Sequence, residues 1–237
     1  MKNSVSCSRL SILFFCLTLA LALFSWVGSI LGMGEVQSLL SAEGIRWVLG
    51  HVVENYVQCP VLGIMLVLLM GMGIVFRSGL YEVSKRLCRK EKQLSRKERR
   101  ALSLALGALG VYALFVTLTL FLPWNFLLGI TGSWRHSPFS RGLVYILSLG
   151  FGLSGMVYGY VSDTFRKMED VVAGMSCMIS RLAPAFVALF FVIQFFSFLE
   201  YTRLTGWMAV PGNIIELLYL FFCCIPFFLC ARINNKV

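Results

Sequence analysis

Charge is scarce in this chain. Only 14% of its 237 residues are Asp, Glu, Lys or Arg, against about 25% in soluble globular domains. Acidic groups are scarcest, with 11 Asp and Glu against 21 Lys and Arg. The two histidines, His51 and His136, do not fall in an H-E-x-x-H pair, and neither a G-x-S-x-G elbow nor a P-loop occurs. These absences exclude zinc proteases, serine hydrolases of the elbow type and P-loop nucleotide hydrolases, so an enzyme is not expected. Eight cysteines are present, but without a C-x-x-C. A zinc or disulfide framework is therefore not expected, and neither a metal nor a cofactor is called for. Cys59 alone would face an oxidising side on the topology below, and the other seven read as small apolar fillers or reduced thiols.

Long apolar runs fill the space that charge leaves. Hydrophobic residues make up 58% of the chain and mean hydropathy is +0.81, so most of the surface must face lipid. Six segments can cross about 30 Å of hydrocarbon as helices: residues 10–33, 59–76, 101–123, 142–162, 182–200 and 214–231. Residues 34–58 carry Leu39, Leu40, Ile45, Val48, Leu49, Val52 and Val53 at helical spacing among Glu43, Arg46, His51 and Glu54, the pattern of an amphipathic interfacial helix. The first apolar run is too long for a signal h-region and reads as a retained span.

Residues 77–100 hold ten Lys or Arg and three Glu. Read as a cytoplasmic loop, this segment brings 17 of the 21 basic residues to one side of the membrane. The positive-inside asymmetry predicts a multi-pass inner-membrane protein with both termini cytoplasmic, 1–237 forming one membrane domain. It also explains the net charge of +10 through topology, so nucleic acid is not an expected partner and the bilayer is. Arg181 with Pro184, and Pro211 with Gly212, leave room for broken elements at the starts of the last two spans. Trp26, Trp47, Trp124, Trp134 and Trp207 lie near span ends or in outer segments, where indole anchors at headgroup level.

Few positions inside the spans carry chemistry. Gly152, Gly155 and Gly159 in the fourth span let another helix approach closely, either within the chain or across a homodimer seam. Gln194 lies within the fifth span, and Glu200 ends it, with Arg203 three residues beyond. Glu200 and Arg203 could pair on one helical face. Polar groups at such depth are costly unless they meet a partner or a cavity, so Gln194, Glu200 and Arg203 are the candidates for a substrate pathway. Glu216, near the start of the sixth span, is of the same kind.

Two blocks resemble the p-aminobenzoyl-glutamate transporter (AbgT) family. The first runs from Glu43-Gly44-Ile45-Arg46-Trp47 through Asn55-Tyr56 and Leu62-Gly63 to M-G-M-G-I-V-F-R-S-G-L, Met70 to Leu80. The second begins at Ser137-Pro138-Phe139 and passes Gly155-Met156-Val157-Tyr158-Gly159, Thr164-Phe165-Arg166, Asp170-Val171-Val172 and Gly174-Met175-Ser176 to F-F-V-I-Q-F, Phe190 to Phe195. Leu94-Ser95-Arg96-Lys97-Glu98-Arg99-Arg100 resembles the stretch that precedes it. Some positions depart from the family pattern: Phe76 replaces Glu, Asp163 replaces Gly, and Leu199-Glu200-Tyr201-Thr202-Arg203 replaces an uncharged break.

The resemblance implies an all-α integral membrane protein of about six transmembrane helices plus one interfacial helix, shortened by loss of the family's two hairpin regions. It implies proton-coupled transport of p-aminobenzoyl-glutamate or a related antifolate metabolite, a small aromatic carboxylate. A non-transporting reduced paralogue, or a partner subunit of a membrane complex, is the alternative.

Overall fold

The computed structural model describes residues 2–34, 36–89, 95–121, 137–207 and 211–233. Among these the regular elements are all α-helices: α1 (Lys2–Ile30), α2 (Ala42–Val57), α3 (Pro60–Ser78), α4 (Leu80–Arg89), α5 (Arg96–Phe121), α6 (Pro138–Val161), α7 (Met168–Tyr201), α8 (Leu204–Trp207) and α9 (Gly212–Ile233). Six helical stretches are long and apolar enough to cross a membrane, α2 and α3 counting as one because only two residues separate them. The chain is an all-α integral membrane protein. Its exposed side chains make the same case: Leu104, Val111, Leu114, Phe115 and Leu118 on α5 stand open, an arrangement that suits lipid and not water.

Helix boundaries follow local chemistry. Ser41 caps α2, its hydroxyl accepting the Gly44 N–H at 3.0 Å, and Ser137 caps α6 in the same way with Pro138 as the first helical residue. Ser95 and Glu98 form half of a capping box at α5, Glu98 accepting the Ser95 N–H at 2.9 Å. At α7 the Asp170 carboxylate accepts the N–H groups of Arg166 and Lys167, each at 3.0 Å. Gly79 ends α3 at φ +86°, the left-handed conformation that glycine adopts without steric cost. The residues around Arg181 and Pro184 were open to a break, but α7 runs through both without interruption.

The contacts divide the chain into two compact units, residues 1–63 with 182–237, and residues 64–181. In the first, α1 packs on α9. Phe14 meets Phe195 and Phe222 edge to face at 5.6 and 5.5 Å, and Leu21, Leu39 and Leu204 close a buried cluster. Trp47, expected as a headgroup anchor, stacks on both Tyr201 and His51, with ring centroids 4.4 and 4.9 Å away. Cys7 and Cys230 form a disulfide between α1 and α9. This corrects the expectation that all these thiols stay reduced. The two cysteines are 223 residues apart, so only the packing of α1 on α9 brings them together.

In the second unit α5 packs along α6, and the Tyr112 hydroxyl donates to the Ile146 carbonyl at 2.9 Å. Val83 of α4 joins Ala101, Leu102 and Ala105 of α5 and Tyr158 of α6 in a buried cluster. The basic segment, expected as a loop, thus contains a helix. Leu80 and Val83 supply its inward stripe, and Glu82 pairs with Arg86 four residues on at 3.4 Å. Residues 90–94 of that segment, with Trp124, Trp134, Arg135 and His136, lie outside the described residues.

Candidate functional site

The first unit holds a half-open cavity of about 700 Å³ with as much polar as apolar lining. Asn55 of α2, its C-cap Gln58, Cys59, Ser197 and Glu200 of α7, and Asn213 and Glu216 of α9 all line it. Two carboxylates therefore face one space, although sixteen positions separate them in sequence. Asn55 also brings a donor without an acceptor, because its Nδ2 is buried and has no hydrogen-bond partner among the described residues. Such a group costs roughly 1–3 kcal/mol if nothing ever binds it.

Local structure fixes where Glu200 points. α7 stops at Tyr201, and Thr202 is fully buried. The Thr202 hydroxyl donates back to the Leu199 carbonyl at 3.0 Å, and its carbonyl accepts the Gln37 N–H at 3.1 Å. Arg203 follows at φ +54° with its N–H on the Glu200 carbonyl at 3.1 Å. The chain has left the helix by Arg203, so Glu200 and Arg203 are related by a turn and not by one helical face. Arg203 is not among the cavity-lining residues.

Gln194, two turns before Glu200, is 4% exposed. Its Nε2 donates to the Val52 carbonyl of α2 at 2.7 Å, while its Oε1 is buried without a partner among the described residues. Just over two turns further back, the Phe186 carbonyl accepts the Tyr56 hydroxyl at 3.1 Å. α2 is thus tied to α7 by two hydrogen bonds across more than 100 residues of sequence. Asn55 lies between those two anchor residues, which holds its amide at the cavity wall.

The glycine positions lie in the second unit. A Cβ on Gly155 would sit 3.0 Å from the Val75 nitrogen, and one on Gly152 would meet Ile74 and the Gly71 Cα at 3.5 and 3.8 Å. Gly159 faces the Phe165 ring. Gly71, in turn, faces the Ser148 carbonyl, and a Cβ there would approach to 2.3 Å. α3 and α6 therefore touch backbone to backbone through these positions.

The sequence reading gave Asn55, Gln58 and Asn213 no role. Their signal was weak, since each is one polar residue at a helix end where water would explain it equally well. Groups of three or more metal-ligating side chains do not occur among the described residues.

Comparison with known proteins decides what kind of molecule carries this cavity. The model of the AbgT putative transporter family matches residues 9–89 and 82–221. The chain belongs to that family. Its fold is similar to that of the Alcanivorax borkumensis YdaH transporter, with 18% identity, a TM-score of 0.76 and coverage of 88% of this chain and 74% of that one. It is also similar to Neisseria gonorrhoeae MtrF, described among antimetabolite efflux pumps, with 17% identity, a TM-score of 0.75 and coverage of 93% and 80%. No curated relative matches. The family and both structural relatives are transporters and not enzymes.

Proposed function

We propose that this AbgT family member moves a small aromatic carboxylate of the p-aminobenzoyl-glutamate or antifolate type across the inner membrane, with proton movement as the coupling reaction. The observation that carries the reading is the cavity lined by Asn55, Glu200 and Glu216. Its volume of about 700 Å³ falls in the ordinary range for small-molecule sites. The unpartnered Asn55 amide, with Gln58 and Asn213 beside it, offers N–H groups to a substrate carboxylate. Glu200 and Glu216 supply two carboxylates that face this one cavity and could carry the exchanged proton. Protonation on one side and release on the other would couple the site to a gradient. Gln194 and Arg203 lie outside the cavity lining, Gln194 buried against Val52 and Arg203 at the turn that ends α7, and join the path only as neighbours of Asn55 and Glu200.

Flux of labelled p-aminobenzoyl-glutamate and p-aminobenzoate in proteoliposomes holding only this chain tests the proposal, with and without an imposed proton gradient. Gradient-dependent flux above empty liposomes, lowered at least tenfold by E200Q or E216Q, is the expected result. Folded, inserted protein that gives no flux would replace it with the non-transporting paralogue or partner subunit.

A further inference from the structure

Arg96, Arg99 and Arg100 open α5, and with Ser103 they line an open groove of about 430 Å³. Their spacing of three, four and seven places all four on one face of the helix. Like charges at this spacing repel one another weakly across the helix surface, a cost that negative charge from outside the helix would relieve. Neighbouring carboxylates are occupied elsewhere. Glu98 caps its own helix and lies 3.8 Å from Arg86, Glu82 pairs with Arg86, and Asp163 takes Lys97. Arg96, Arg99 and Arg100 have no acidic partner among the described residues.

The depth of the groove identifies the source of that charge. Arg96–Leu120 is one of the stretches able to span the membrane, and Leu104 and Leu106, just past the groove, are exposed apolar residues that need lipid. The first two turns of α5 consequently sit where headgroups sit. α4 packs beside them through Val83 and Leu80, while its Leu87 stays 51% exposed, as suits a short amphipathic helix lying on a lipid surface.

We propose that Arg96, Arg99, Arg100 and Ser103 form a binding site for the phosphate of an anionic lipid headgroup. Guanidinium forks match phosphate oxygens in pairs, and the Ser103 hydroxyl one turn further adds a neutral donor. The site is independent of the transport reading, since it lies in the other unit and asks only that α5 be a span.

The test is native mass spectrometry of the purified full chain titrated with phosphatidylglycerol, with phosphatidylcholine and with inorganic phosphate. Basic groups at an anionic surface contribute about fivefold each. R96Q/R99Q/R100Q should therefore weaken phosphatidylglycerol binding at least tenfold, whereas R166Q/K167Q/R181Q, which removes the same charge elsewhere, should change it less than threefold. R96K/R99K/R100K keeps the charge but loses the forks, and should fall between the two. It also carries the test if the glutamine variant fails to fold. Equal losses in the glutamine and remote variants would reduce the effect to net charge and overturn the site. Equal binding of phosphatidylcholine, or displacement of the lipid by inorganic phosphate at similar concentration, would also overturn it.

Discussion

Replacing Gln194 with leucine separates a structural amide from a working one. The wild-type side chain makes one buried hydrogen bond, Nε2 to the Val52 carbonyl at 2.7 Å, and leaves Oε1 buried and unpartnered. Losing the bond costs about 0.5–1.5 kcal/mol, while removing the unpartnered acceptor returns roughly 1–3 kcal/mol. Leucine is close in volume, so cavity formation adds little. Gln194→Leu should leave stability between a loss of about 0.5 and a gain of about 2.5 kcal/mol. Flux per folded molecule should fall at least tenfold, because the substitution removes the unpartnered Oε1 that is left to meet a substrate or proton. Thermal unfolding in detergent and proteoliposome flux on the same preparation make the measurement. A loss of more than about 2 kcal/mol, with flux following the folded fraction, would show instead that Gln194 serves only to join α2 to α7.

Gly71→Ala should destabilise by about 1–3 kcal/mol, because its Cβ would approach the Ser148 carbonyl to 2.3 Å and α3 and α6 would have to part. Gly107→Ala, with open space around it, should be neutral or gain up to about 1 kcal/mol of helix propensity; melting temperatures of the pair compare them directly. Gly79→Ala meets no neighbour, so its cost should be the left-handed backbone alone, about 1–2 kcal/mol, read from the same melts. Asp163 hydrogen-bonds Lys97, and that bond together with the Lys97 charge holds its carboxyl below the ordinary value of 3.8. A depressed folded value contributes stability above the unfolded one and loses it as pH falls through the folded one. The melting difference between wild type and Lys97→Met should therefore hold steady from about pH 7 to pH 5 and vanish in stronger acid. Alkylation of the denatured chain should add six labels before reduction and eight after it, from six free thiols and the Cys7–Cys230 pair. The same count made in intact cells tests orientation, because a disulfide at this end that persists there argues for an oxidising side, against the charge asymmetry.

Membrane class was legible because lipid imposes one simple rule, that a span be long and apolar. It survives ignorance of every tertiary contact. The character of residues 80–89 was not legible on that rule. The density of Lys and Arg reads as a solvated loop, yet Leu80 and Val83 find Ala101 and Tyr158 to pack against, and that partner surface exists only after α5 and α6 have folded. Pro184 misleads in the opposite direction. A proline removes one backbone donor, a loss that neighbouring helices absorb inside a membrane, and α7 continues through it.

Asp163 shows how a residue other than glycine can hold a left-handed turn. Its φ is +60°, the left-handed region where glycine is the usual occupant, and aspartate is among the few other residues that enter it at modest cost. The side chain then takes up Lys97, an interaction glycine could not make. At the end of α7 Arg203 likewise occupies φ +54°, and the chain leaves the helix there. Glu200, read alone at the end of a span, looks like a residue that water satisfies. It becomes part of a site only because α9 packs back along α7, Phe227 on Phe186 and Tyr219 on Phe196, and brings Glu216 to the same cavity. A single sequence records each carboxylate and its depth. The pairing of the two is a property of how α9 packs on α7, a contact that no local pattern in the sequence announces.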